Sequence, residues 1–113
     1  MKTNNTLLTD LHYIEENPDC ILKIEKPTID DLDLAFLLKP ELALNIDNIP
    51  EEVQITMIER DPNNAKYLTN PTKEVSILIV KKGYADGDGT KYYQLLPNPN
   101  YVGAWFLANP ILL

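Results

Sequence analysis

The chain has 113 residues, 44% of them hydrophobic and 24% charged, which is the composition of a single globular domain with a buried core. No apolar run is long enough to span a bilayer, and the first residues lack the apolar segment and cleavage site of a signal peptide. The formal net charge of −7 argues against direct binding to nucleic acid, which needs Lys and Arg to displace counterions from phosphates. Cys20 is the only cysteine, so no internal disulfide can form and we expect a cytoplasmic protein.

The first segment, residues 1–16, predicts a capping helix. Its apolar residues recur at helical spacing and are expected to face inward: Leu7, Leu8, Leu11 and Ile14. His12, the only histidine, has no Cys or Ser partner in a catalytic motif, so we interpret it as a solvated side chain.

Prolines then divide residues 17–110 into repeats. Pro18, Pro40 and Pro62 are evenly spaced at intervals of 22 positions, and a second series follows each of them after 9 or 10 positions: Pro27, Pro50 and Pro71. A fixed period of this length is typical of stacked-repeat architectures. Apolar residues keep the same register, in the sets Ile21/Ala43/Ala65, Ile24/Ile46/Leu68, Leu32/Val53/Val75, Leu34/Ile55/Ile77 and Phe36/Met57/Ile79.

Each half of a repeat begins with signals for a helix start. Proline is tolerated at the first helical position, the preceding Asn or Asp can cap free amides, and acids occupy the first turn. The pattern predicts longer helices at about 28–38, 51–60 and 72–82, and short ones at about 19–25, 41–47 and 63–68. An alternative makes "EVSILIV" (74–80) a strand paired with "KYYQLL" (91–96), but the repeat register favours helix.

The last repeat contains an insertion at residues 84–93, because the pair Asn98-Pro99 comes six residues later than the period requires. An insertion in a repeat protein forms a loop on one face, and loops on rigid scaffolds often carry binding. The loop's candidate partner-binding residues are Tyr84, Asp86, Asp88, Tyr92 and Tyr93, unless the tyrosines pack against the repeats instead. Part of the segment matches a calcium loop, but Tyr84 and Leu95 occupy two ligand positions, so we expect no metal site.

The final segment, "YVGAWFLANPILL" (101–113), predicts a helix that closes the repeats. If it were exposed, so apolar a segment would be a homodimer or partner surface. No catalytic constellation, phosphate-binding loop or metal-ligand spacing occurs in the chain, so we expect a protein that is not an enzyme and has no cofactor.

The segment "IPEEVQITMIERDPNNAKYLTNPTKEVSILIVKK" (49–82) resembles the short bihelical repeats found in uncharacterised bacterial, plasmid and phage proteins, which have a similar period. The shared motif is carried by Pro50-Glu51-Glu52-Val53, Asp61-Pro62, Ala65, Tyr67-Leu68 and Asn70-Pro71. The likeness covers about residues 17–110 and is best over 40–82; it departs at Lys39, at Gly83 and at the insertion. It implies a helical repeat fold and brings no catalytic residues with it.

These observations predict an all-α, single-domain, short solenoid of stacked helix pairs over residues 1–113. The first functional hypothesis is a module that binds one protein partner through its repeat surface and the 84–93 loop. The second is a small acidic inhibitor of phage type that imitates nucleic acid and blocks a nucleic-acid-binding protein. Its candidate surface consists of acids from the first two long helices and their ends: Asp30, Asp31, Asp33, Glu51, Glu52, Glu59 and Asp61.

Overall fold

The computed structural model describes the backbone of residues 6–99 and 101–109, and the side chains of residues 11–99 and 103–109. Over these ranges the chain is helical and contains no strand, so the predicted all-α class is confirmed and the hairpin alternative for residues 74–96 is wrong. The α-helices are α1 (Thr6–Glu16), α2 (Ile29–Leu38), α3 (Glu51–Arg60), α4 (Lys73–Ala85), α5 (Thr90–Tyr93) and α6 (Tyr101–Ala108). Three 3-10 helices span Pro18–Lys23, Pro40–Asn45 and Pro62–Tyr67.

The period seen in the prolines is present in the helices themselves. The three 3-10 helices begin 22 positions apart, and so do α2, α3 and α4. Each 3-10 helix has proline in its first turn and ends where an apolar residue donates its N–H to the carbonyl three residues earlier: Ile24, Ile46 and Leu68. The predicted short helices are therefore 3-10 helices, the form that short helical pieces commonly adopt. We define three units, each a 3-10 helix and its following α-helix: residues 18–38, 40–60 and 62–85.

Buried residues occupy the same positions in every unit. They form the pairs 31–32 and 35–36 in α2, 53–54 and 57–58 in α3, and 75–76 and 79–80 in α4. This spacing places them on one face of each helix. Phe36, Met57 and Ile79 are all buried, as predicted.

The predicted register of the first unit, however, is wrong by one residue. Asp31, not Leu32, is equivalent to Val53 and Val75, because the helices keep a constant period while the second proline series does not.

Each element packs against its neighbours in the chain. Helix α1 contacts α2 and the first 3-10 helix, α2 contacts α3, and α3 contacts α4, which also packs against α5 and α6. The second and third 3-10 helices contact each other. The molecule is elongated, with principal extents of 56 × 20 × 19 Å.

The first segment is helical over Thr6–Glu16, as α1, in which Ile14 is buried and His12 is exposed beside Glu16; its capping role stays a prediction. The side chains of Leu7 and Leu8 lie outside the described residues. The final segment is helical over Tyr101–Ala108, as α6, which packs against α4. Trp105 is half-exposed and packs edge-on against Phe106, so closure of the repeats by this helix stays a prediction. Residues 110–113 lie outside the described part, and the homodimer surface stays a prediction. None of the helices described here has the length and apolar character needed to cross a membrane.

The insertion is mostly helical, which corrects the prediction of a loop at residues 84–93. Helix α4 continues through Ala85, beyond its predicted end at residue 82, and only residues 86–89 form a turn before α5. Gly83 permits this arrangement, because a Cβ atom there would lie 2.6 Å from the backbone oxygen of Asp88. Gly87, in the turn, has φ = 97°, a conformation that favours glycine.

Candidate protein-binding surface

Two of the predicted partner-binding tyrosines are buried, which corrects their assignment. Tyr92 and Tyr93 are only 6% and 5% exposed, since α5 turns them toward the core. The Tyr92 hydroxyl donates to Asp86 Oδ2, and Lys91 Nζ lies 3.7 Å from the same oxygen. The hydrogen bond to Asp86 raises the pKa of the Tyr92 hydroxyl above its ordinary value. Burial of Tyr92 and Tyr93 in the core therefore holds the insertion on the rest of the fold, while the Asp86 contacts order the insertion internally.

The other residues of the insertion also have structural partners. Asp88 Oδ1 accepts hydrogen bonds from the Thr90 backbone N–H at 2.9 Å and from the Thr90 hydroxyl at 2.8 Å. These bonds lower the pKa of the Asp88 carboxyl, because they stabilise its charged form. Tyr84 is partly exposed, but its hydroxyl donates to the backbone oxygen of Leu107 in α6. Asp86 and Asp88 thus bond to different partners and do not converge on a common point.

Three of the seven acidic candidates are engaged in the fold. Asp31 is 1% exposed, so its place on an acidic surface is wrong: its Oδ2 accepts from the Thr28 backbone N–H at 2.9 Å, in a capping box at the start of α2. Asp61 caps the third 3-10 helix. Glu59 pairs with Lys82 Nζ at 2.7 Å.

The remaining acids lie on the outer sides of α2 and α3. Asp33 is half-buried, and its pKa is raised first by that burial and further by the nearby carboxylates of Asp30 and Glu52, against the opposing charge of Arg60. Asp30 and Glu52 are exposed. Glu51 is the first residue of α3 and is half-buried. A carboxylate is favourable there because it lies at the positive end of the helix dipole.

Two grooves form where the units meet, along a surface that the sequence did not indicate. We call this surface the turn edge: residues 24–28, 46–50 and 68–72, which join each 3-10 helix to the following α-helix. The first groove, about 400 Å³, lies between the first two turns, and the second, about 620 Å³, lies between the last two. Ile46, Asp47 and Asn48 border both grooves, so the two are adjacent.

The turns that build the grooves have related but unequal chemistry. Glu25 and Asp47 are at equivalent positions of the first two units; both are exposed, and neither has an ion pair or hydrogen bond among the described residues. Thr69 takes their place in the third turn. Asn48 adopts φ = 58°, which asparagine tolerates better than most residues.

The second groove has a buried polar residue in its lining. Gln54 is 4% exposed, and its Nε2 donates to the backbone oxygen of Ile49 at 2.8 Å. Its Oε1 is buried and accepts no hydrogen bond from the described residues. A buried acceptor without a donor is unfavourable and is unusual in a native core. The sequence does contain a signal for this site: Gln54 stands in α3 at the position that the apolar residue Leu32 occupies in α2.

The first groove is more apolar. It is lined by Ile21, Leu22, Ile24 and Leu32, and Leu32 is the equivalent of Gln54. Leu22 and its equivalent Leu44 are both nearly half-exposed. The turn edge therefore offers apolar contact at one groove, an amide at the other, and carboxylates along the rim.

No family model, curated protein or solved structure matches the chain. The likeness to bihelical Asn-Pro repeats therefore stays a prediction that depends on the motif alone. The arrangement of the described side chains is what supports the functional proposal.

Proposed function

We propose that the chain is a short α-solenoid that acts, without catalysis, as a module binding one protein partner along its turn edge. Three features support the solenoid: equivalent helices at a constant period, equivalent buried positions, and an elongated shape in which each unit contacts the next. Repeat proteins of this kind bind partners along extended surfaces made by equivalent parts of successive repeats.

The observation that carries the functional proposal is the pair of adjacent grooves on the turn edge. Equivalent turns build both, and the middle turn forms a wall of each. A partner segment lying across the middle turn would contact all three units at once. Cys20 and His12, the side chains best suited to nucleophilic or acid–base chemistry, lie outside both grooves, which favours binding over catalysis.

Capture of binding proteins from a host lysate tests this function when it is done with two matched variants. Asn70→Arg adds a long cationic side chain to the second groove, which Asn70 borders at an exposed position. Gln94→Arg makes the same charge change at an exposed residue after α5, outside both grooves. We expect a specifically captured protein to be lost with Asn70→Arg and retained with Gln94→Arg. Retention with both variants, at wild-type stability, would contradict binding at the turn edge.

A second proposal, the acidic inhibitor, has support from one observation. Asp30 and Glu52 lie close enough to Asp33 for their charges to add to the effect of burial in raising the Asp33 pKa. Helices α2 and α3 therefore present clustered carboxylates. A complex formed by nucleic-acid mimicry should weaken steeply as salt is added and should be displaced by DNA or RNA. If the captured partner is insensitive to both, the acidic face is not its binding surface.

A further inference from the structure

We propose that the turn edge binds an extended, basic polypeptide segment whose cationic side chains are three residues apart. This inference rests on the proposed function and specifies the class of partner. It depends on the charge of the groove rim, on the spacing of the units and on the buried amide of Gln54.

The charge of the rim selects a cationic occupant. Among the described residues, Glu25 and Asp47 are the only charged ones that line the two grooves, and no Lys, Arg or His lines either of them. Lys26 lies in the first turn but is not part of the lining, and asparagine replaces it in the other two turns, as Asn48 and Asn70. Two carboxylates in a groove lining that contains no cation attract Lys or Arg and repel phosphate.

The spacing of the units sets the spacing of the cations. Packed helices lie about 8–10 Å apart, so equivalent turns of neighbouring units have about this separation. An extended chain advances about 3.1–3.4 Å per residue, so about three residues span one unit. If one cationic side chain of the segment lies beside Glu25, the side chain three residues further along the segment therefore lies beside Asp47. Thr69, the equivalent residue in the third turn, carries no charge, so the turn edge pairs with two cationic side chains of the segment.

Gln54, in the wall of the second groove, would supply an acceptor to an extended segment once its side chain turned toward the groove. Its Oε1 is buried in the lining of the second groove without a donor from the described residues. Extended segments keep free backbone N–H groups, which bind acceptors in many peptide complexes. The equivalent residue in the first groove is Leu32, so the two grooves differ. We therefore expect the segment to bind in one direction, with its more apolar end at the first groove.

Fluorescence anisotropy with two labelled peptides tests the inference on the full chain. Both peptides have the same Pro-, Ser- and Leu-containing composition and two lysines, placed at i and i+3 in one and at i and i+1 in the other. We expect the i, i+3 peptide to bind about tenfold more tightly at low salt. Equal binding of the two peptides would overturn the inference, because non-specific attraction to an acidic protein does not depend on spacing.

Two charge-matched variants locate the peptide on the molecule. Asp47→Lys should weaken binding of the i, i+3 peptide by about tenfold or more, and the milder Asp47→Asn should weaken it less. Glu15→Lys changes the net charge by the same amount as Asp47→Lys, at an exposed residue of α1, and should leave affinity within about twofold. Circular dichroism confirms that each variant is folded. An equal loss with Glu15→Lys and Asp47→Lys would overturn the assignment to the turn edge.

The two proposals can fail separately. If Asn70→Arg abolishes capture of the partner while the two peptides bind equally, the turn edge still binds protein and the basic segment is wrong. If the peptides bind with the expected spacing while capture is insensitive to Asn70→Arg, the basic-segment site is supported and the captured partner uses another surface.

Discussion

Exchanging aspartate and valine at equivalent positions should change stability by very different amounts in different units. Asp31 occupies the buried position that Val53 and Val75 occupy in the next two units. In the first unit, the capping residue Thr28 donates its N–H to Asp31. In the second unit, the capping residue is Pro50, which has no N–H and no side-chain cap.

Replacing Asp31 with valine should change stability by only about 1 kcal/mol, because the losses and gains are of similar size and nearly cancel at the middle of their ranges. The variant loses a charge-assisted hydrogen bond of about 1.5–3 kcal/mol and an acid at a helix start, about 0.3–1 kcal/mol. It also removes the buried, unpartnered Asp31 Oδ1, a gain of about 1–3 kcal/mol, and buries a valine, a gain of about 1.5 kcal/mol or more. The Thr28 hydroxyl can still accept from the backbone of residue 31, as the Thr72 hydroxyl does from Val75.

The reverse exchange, Val53→Asp, should destabilise by about 4 kcal/mol or more. It forfeits about 1.5–3 kcal/mol of valine burial and places a carboxylate in the core, where Pro50 offers it no donor. Val75→Asp should be less damaging than Val53→Asp, because Thr72 has an N–H at the matching position and can form a capping box.

Urea unfolding followed by circular dichroism measures all three variants against the wild type, with an unchanged slope required for comparison. The expected order of stability is Asp31→Val, then Val75→Asp, then Val53→Asp. If Asp31→Val destabilises as much as Val53→Asp, the capping box contributes far more than the buried oxygen costs, and the reasoning is wrong.

Three further predictions concern the insertion and the acidic face. Gly83→Ala should destabilise by about 1–3 kcal/mol in urea, because the new Cβ would meet the Asp88 backbone oxygen; a negligible change would show that the turn can move. Burial raises the pKa of the Asp33 carboxyl in the folded protein, so its ionisation disfavours folding as the pH rises through that pKa. Asp33→Asn should therefore raise the melting temperature more at about pH 7 than at about pH 3. An equal gain at both pH values would contradict this. Calcium should leave the melting temperature unchanged, because Asp86 and Asp88 bond to separate partners; a concentration-dependent rise would show that they can converge on an ion.

The period and the repeated helices follow from local signals in the sequence. Proline at a helix start, an acid in the first turn and apolar residues on one face are local signals, since each acts within a few residues of the backbone it organises. Those signals recur at a constant interval along the chain, and the predicted longer helices match α2 and α3 closely. The all-α class followed from them without any knowledge of which residues meet.

Packing between the units, by contrast, determines which side chains are exposed and which are buried. Asp30 and Asp31 are adjacent helix-start acids that look alike in sequence, yet one is exposed and the other is buried in a capping box, because the neighbouring units cover only one side of α2. The tyrosines of α5 are buried because Gly83 lets the turn close on α4. The grooves of the turn edge exist only between units, so no local signal could predict them: their walls come from different repeats, far apart in the chain and brought together by packing.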